Sequence, residues 1–113
     1  MSASGPPARA SLPLDAFAYR RTDLFNETTV PPGLLKAHST KAGVWALIHV
    51  IDGSLVYRID DPRRLASATV LTPDGPPGLV EPTILHFVEP RQRVRFYVEF
   101  YRRETGSPSE GSS

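Results

Sequence analysis

Histidines are the side chains of this sequence best suited to chemistry, and the chain has three of them. His38 precedes the first strong strand pattern, whereas His86 shares strand parity with Ile84 and Val88. A histidine in such an apolar row is expected to point into the core, where it needs a polar partner. If the fold brings His38 and His86 together, two imidazoles and a carboxylate could hold a divalent metal with open positions for a substrate. Their spacing is also consistent with an alternative, in which His38 and His86 are structural histidines that hydrogen-bond within the fold.

Glu99 is the candidate carboxylate, because it lies within an aromatic stretch at residues 96–101 where an unpaired buried charge would be costly. It could be a third metal ligand or a partner that orients a histidine. Strand parity places it opposite Val98, so it could instead lie on a solvated face and pair with an arginine (Arg93, Arg95 or Arg102). His49 has the opposite parity from its apolar neighbours and is predicted to lie outside the core.

Short strands must position these residues, because the apolar pattern has a period of two rather than a helical period. Residues 44–50 alternate up to Asp52-Gly53, a dipeptide suited to a tight turn, and residues 55–59 then resemble the second arm of a hairpin. Residues 79–88 predict a strand or a strand pair, and residues 94–100 give the clearest strand. The 12 prolines leave few windows for a helix. The pattern therefore predicts an all-β sandwich or barrel.

Composition limits the classes of function. A chain of 113 residues fits one domain, which we place at residues 12–103 between two polar, unstructured tails at 1–11 and 104–113. The net charge of +1 argues against nucleic acid as a partner. The sequence contains no cysteine, which excludes disulfides, thiolate zinc sites and thiol catalysis. No secretory signal or membrane-length apolar run is evident, so we expect no membrane partner and, by elimination, a cytoplasmic location.

A longer motif surrounds His38. The run PGLLKAHSTKAGVW at residues 32–45, together with residues 53–57, 81–86 and 98–102, resembles the TehB/YeaR-like small cupins. That family is associated by name with tellurite resistance, and the resemblance covers nearly all of residues 12–103. It implies a cupin-type double-stranded β-helix, a small antiparallel barrel of two sheets with a central pocket.

The resemblance also implies roles for particular residues. His38 and His86 match histidines of the two cupin motifs, whereas Thr40 and Ala46 occupy positions where metal-bearing cupins have a histidine and a glutamate. Glu99 is then the expected replacement ligand beside His38 and His86, for zinc, nickel, iron or manganese. We expect Thr40, Ala46 and Ile84 to line the pocket.

Two hypotheses of function follow from the residues and the resemblance. The first is a metal-binding small cupin linked to tellurite or oxidant stress tolerance, acting on or binding a small molecule or an oxyanion. The alternative is a metal-free cupin module that binds a small ligand or mainly dimerises, without catalytic activity. A homodimer is expected in either case, through exposed aromatic side chains such as Trp45, Tyr57 or Tyr101. The sequence leaves open whether the protein is an enzyme.

Overall fold

A computed structural model of the chain describes residues 12–103, so the two predicted tails lie outside the described residues. The described part contains eight strands and one short 3-10 helix, and it confirms the all-β prediction. The strands are β1 (Ala16–Arg21), β2 (Phe25–Asn26), β3 (Val44–Gly53), β4 (Leu55–Ile59), β5 (Ser67–Leu71), β6 (Gly78–Val80), β7 (His86–Glu89) and β8 (Val94–Arg103), with the 3-10 helix at Pro32–Leu35.

The strands form two antiparallel sheets. Five belong to a larger sheet of order β1-β8-β3-β6, in which the short β2 also pairs with β8. The other three form a smaller sheet of order β5-β4-β7. In the described residues, strand pairing does not close these sheets into a barrel, which corrects that part of the expectation. The segment that carries the chain from β6 of the larger sheet to β7 of the smaller sheet includes Pro82, which cannot donate a backbone hydrogen bond of a ladder.

Buried residues of both sheets form one hydrophobic core. On β3 and β8 the inward side chains alternate with half-buried or exposed ones, as a period of two requires. Phe96 is fully buried, and the smaller sheet contributes Leu55 and Tyr57 from the opposite side. Tyr57 therefore belongs to the core, where its hydroxyl donates to the carbonyl of Leu79 at 2.6 Å. This corrects the expectation that Tyr57 is an exposed interface residue.

The predicted hairpin between residues 44–50 and 55–59 is wrong, because β3 and β4 belong to different sheets. The register between β3 and β8 shifts between Val50 and Asp52, and the chain then leaves the larger sheet through Gly53. Gly53 has a φ of 78°, and a Cβ at this position would collide with the carbonyl oxygen of Arg93. Glycine is therefore required here by a close approach of two backbones as well as by its φ.

Candidate functional site

His38 and His86 meet across an isolated antiparallel bridge. The amide of His38 donates to the carbonyl of His86 at 3.0 Å, and the amide of His86 donates to the carbonyl of His38 at 2.9 Å. Residues that face each other in such a pair project their side chains to the same side of the sheet. The two rings accordingly lie with their centroids 4.2 Å apart and their planes at 53°. The backbone itself thus places the two imidazoles side by side.

The backbone also fixes which ring nitrogen of each histidine carries the proton. Nδ1 of His38 lies 2.8 Å from the carbonyl oxygen of Lys36, and Nδ1 of His86 lies 2.9 Å from that of Ile84. A carbonyl oxygen only accepts hydrogen bonds, so each Nδ1 must be the donor and each Nε2 of a neutral ring keeps a lone pair. In the described part of the chain, neither Nε2 has a hydrogen-bonding partner.

His86 is the more deeply buried of the two histidines, with 5% of its surface exposed. This burial, together with the neighbouring His38, lowers the pKa of His86 to about 4. The ring is therefore neutral at pH 7, which is the form in which its Nε2 accepts a hydrogen bond or binds a metal.

Both histidines line a cavity of about 540 Å³ between the larger sheet and β7. Most of the cavity wall is apolar, and Thr40 and Ala46 are among the residues that line it. The hydroxyl of Thr40 donates to the carbonyl of Val44 at 2.7 Å, so this residue also holds the turn before β3. The larger apolar residues of the wall are Phe25, Leu34, Ile48, Val80, Val88, Phe96, Val98 and Phe100.

Ile84 is not one of the residues that line the cavity, although it is buried. It precedes β7, and its carbonyl oxygen accepts the hydrogen bond from Nδ1 of His86. Its role in the site therefore comes from the backbone, since this carbonyl orients the imidazole.

Glu99 lies on the opposite face of the larger sheet, so the structure does not bring it to the two imidazoles. Its Oε1 lies 3.1 Å from Nε2 of His49 and accepts a hydrogen bond from the hydroxyl of Tyr101 at 2.8 Å. The physical reason is strand parity, because the neighbouring Val98 points inward. Among residues 12–103, no group of three His, Cys, Asp or Glu side chains is placed to hold a metal ion. The expected ligand set of His38, His86 and Glu99 is thus not assembled.

Asp61 and Arg63 form an ion pair that is hydrogen-bonded to the loop before His86. This pair was not identified from the sequence. The Asp61 side chain is 1% exposed and accepts from Nε and Nη2 of Arg63 and from the backbone amide of Leu85. Arg63 in turn donates to the carbonyl of Thr83, which has an unusual φ of 66° for a residue with a side chain. The Arg63 side chain, and then the Leu85 amide, lower the pKa of the Asp61 carboxyl.

The geometry defines a class of protein: a two-sheet antiparallel β domain with a histidine pair in an apolar cavity. The family model of the TehB-like domain matches residues 20–98. The chain belongs to the TehB-like family, which confirms the resemblance carried by the motif around His38.

Two solved structures are similar in fold. TehB from Haemophilus influenzae superposes with a TM-score of 0.73 at 22% identity, covering 80% of this chain and 32% of that one. The chain thus spans about a third of the length of that relative. A protein from Escherichia coli strain K12 superposes with a TM-score of 0.72 at 20% identity, covering 84% of this chain and 98% of that one.

A search of curated proteins found no match to the sequence. Within residues 12–103, no helix is long and apolar enough to cross a membrane.

Proposed function

We propose that this protein is a cupin-type binding module that takes a small organic ligand in the cavity between its sheets. One observation carries the proposal: His86 is buried, neutral and hydrogen-bonded at Nδ1, yet its Nε2 has no partner in the described chain and its ring lines the cavity. A buried acceptor without a donor costs about 1–3 kcal/mol, so native proteins rarely leave one unpaired. A ligand that donates a hydrogen bond would remove that cost.

The size and lining of the cavity support the same function. Its volume of about 540 Å³ lies within the range of roughly 300–1,000 Å³ typical of small-molecule pockets. Apolar walls with a few convergent polar groups are also typical of such pockets. The second imidazole, that of His38, adds another Nε2 acceptor beside the first. We infer a ligand with an apolar body and at least one hydroxyl or amino donor.

Metal binding at the two histidines is the second candidate. Its supporting observation is that both Nδ1 atoms donate to backbone carbonyls, because metal-bound histidines are usually oriented in this way. The donor set fits zinc, nickel, iron or manganese in type and in tautomer. It falls short in number, since protein sites for these ions generally use about three or more ligands. A metal held here would need further ligands from water or from a bound small molecule.

The cupin assignment and the biological setting form part of the proposal. Two antiparallel sheets around a histidine-lined cavity agree with a cupin-type double-stranded β-helix. The association of the family name with tellurite resistance makes tellurite or oxidant stress the setting in which we expect the ligand to matter.

Matched aromatic probes test the proposed function. We expect 2-naphthol, which has a hydroxyl donor, to shift the Nε2 resonances of His38 and His86 in histidine nitrogen NMR spectra. The probe 2-methoxynaphthalene, which has no donor, should bind more weakly and leave Nε2 nearly unchanged. His86→Gln should weaken 2-naphthol binding, whereas the control His49→Gln should not. Failure of 2-naphthol to perturb either ring would contradict the proposal.

Elemental mass spectrometry of tag-free protein separates the two candidates. Near-stoichiometric metal that is lost in both His38→Ala and His86→Ala would favour the metal site. Protein that takes up none of the four ions at micromolar concentration would exclude it and leave the organic ligand.

The expected homodimer remains a prediction. Trp45 and Tyr101 lie directly opposite each other on β3 and β8, on the face that also carries Glu99. A second copy packed on this face would cover them. Light scattering coupled to size exclusion measures the mass, and a monomer at all concentrations tested would contradict the dimer.

A further inference from the structure

Among the described residues, the charged side chains that line the cavity are all positive. Of the described residues that line it, the charged ones are Arg20 and Lys41, and none is an aspartate or a glutamate. Both side chains are exposed, whereas His86 is buried, so the two cations lie toward the solvent side of the cavity and the imidazole acceptors include its buried side.

These two cations lack the carboxylate partners that arginines have elsewhere in the molecule. Arg58, Arg63 and Arg64 each form an ion pair of 2.7–2.9 Å with Glu89, Asp61 and Glu81, respectively. Within residues 12–103, neither Arg20 nor Lys41 has a carboxylate within ion-pair distance. The guanidinium of Arg20 lies 5.9 Å from the centre of the Phe100 ring, which also lines the cavity. Arg20 thus lies beside the cavity wall, and no carboxylate within residues 12–103 compensates its charge.

The apolar wall decides what kind of anion fits. A bare inorganic oxyanion would lose hydration against Phe96, Val80 and Val98 without covering them. An organic anion instead covers these side chains with its own apolar body while its charged group stays near Arg20 and Lys41. The cavity lining thus combines a buried imidazole acceptor, His86, with two exposed cations.

We infer that the ligand is an apolar hydroxy acid, with a carboxylate at Arg20 and Lys41 and a hydroxyl donor at Nε2 of His38 and His86. This inference rests on the proposed function and specifies its ligand class. It predicts that adding a carboxylate to a neutral, hydroxyl-bearing probe strengthens binding, and that the gain comes from these two cations.

The test compares 6-hydroxy-2-naphthoate with 2-naphthol by calorimetry on the full-length protein at low salt. We expect the carboxylate to raise affinity by about tenfold, since two partly exposed ion pairs each contribute up to about 1 kcal/mol. The gain should diminish as salt is added. It should disappear in the double variant Arg20→Gln/Lys41→Gln, which should bind the two probes with nearly equal affinity.

Arg21→Gln is the matched control, because Arg21 is the next residue on β1 and its guanidinium lies 5.0 Å from the Tyr97 ring on the other face of the sheet. It removes the same charge without touching the cavity. Equal losses in Arg21→Gln and Arg20→Gln would overturn the inference, because they would show a general field effect. Equal affinities for the two probes would overturn the inference that the ligand is a hydroxy acid. The proposed function would stand in that case, since the cavity would still bind both aromatic probes. If neither probe binds, the proposed function fails as well.

Discussion

Two histidine centres lie on opposite sides of the larger sheet, and they differ in the groups that hold their rings. The outer centre, His49, belongs to the larger sheet itself, whereas the inner centre, His38 and His86, belongs to the edge of the smaller sheet and faces the cavity. On the outer face, His49 has its Nε2 3.1 Å from Glu99, and its ring stacks on Tyr97 with centroids 4.8 Å apart. In the inner centre, His38 and His86 use only their Nδ1 atoms, and both Nε2 atoms are unpartnered in the described chain. Each of the three rings thus has one partnered nitrogen within residues 12–103, but the side chain of His49 is 26% exposed and can be hydrated, whereas His86 is 5% exposed and faces the cavity.

This difference shows how polar residues with similar chemistry can be assigned to structure or to function. A structural histidine is recognised by a partner that the chain itself supplies, as Glu99 does for His49. A binding histidine is recognised by a lone pair that the fold orients but does not use.

Acid should destabilise the protein mainly through the inner centre. The pKa of His86 is about 4 in the folded chain, and that of an unfolded histidine is about 6.5. The unfolded state therefore takes up the proton first as pH falls, and folding loses stability between those two values, by about 3 kcal/mol in all. Urea unfolding from pH 7 to pH 4 should show this loss in the wild type and in His49→Gln, but not in His86→Gln. The same acid dependence in all three proteins would contradict the assignment.

A third imidazole in the cavity should create a metal site there. Thr40 lines the cavity two residues after His38, so Thr40→His creates a His-x-His pair opposite His86. We expect zinc affinity to rise by about 100-fold, or about 2.7 kcal/mol, because three neutral nitrogens replace two. Thr40→Gln also removes the native hydroxyl and serves as the control. If the wild type already binds zinc as tightly as Thr40→His, the two histidines are a metal site without help, and the inner centre needs no organic ligand.

Removing the hydrogen bond between His49 and Glu99 should lower the stability of the protein much less. The side chains of His49 and Glu99 are 26% and 23% exposed, and partly exposed pairs of this kind contribute about 1 kcal/mol or less. Glu99→Gln and His49→Gln should each lower the free energy of unfolding by about that amount. Both variants should bind 2-naphthol as the wild type does. Weaker probe binding in Glu99→Gln would show that the outer pair affects the cavity, and it would contradict the assignment of separate roles to the two histidine centres.

The sequence predicts the strands of the sheet better than it predicts the site. The alternation along β3 and β8 could be read because the period of two persists over many residues. The same parity placed Glu99 opposite Val98, which agrees with the structure, whereas the ligand role of Glu99 was inferred from its aromatic neighbours and from the resemblance. The dipeptide Asp52-Gly53 correctly indicates a turn, but it does not show whether the next strand joins the same sheet. A glycine with positive φ is equally suited to a hairpin and to a connection between two sheets.

The contacts that build the site are long-range, which explains why the sequence did not reveal them. The bridge between His38 and His86 joins residues far apart in the chain, and no local spacing encodes it. Asp61 lies in the stretch Asp60-Asp61-Pro62, a typical exposed turn, yet its carboxylate is buried by Arg63 and the loop at Leu85. A buried carboxylate of this kind becomes visible only when the fold supplies its donors.

The smallest effect should be a change in the acidity of Tyr101. Burial, and then the hydrogen bond to Glu99, raise the pKa of Tyr101 to about 12. Glu99→Gln removes the negative charge but keeps the bulk, so the pKa of Tyr101 should fall from that value and yet stay above the ordinary value of about 10, because burial remains. NMR titration of the tyrosine ring carbons measures this, and Tyr57, whose hydroxyl donates to Leu79 in the core, is the internal control. An unchanged Tyr101 would mean that Glu99 is not charged beside it. The outer centre would then be a neutral hydrogen-bond network, and its contrast with the inner pair would rest on partner geometry alone.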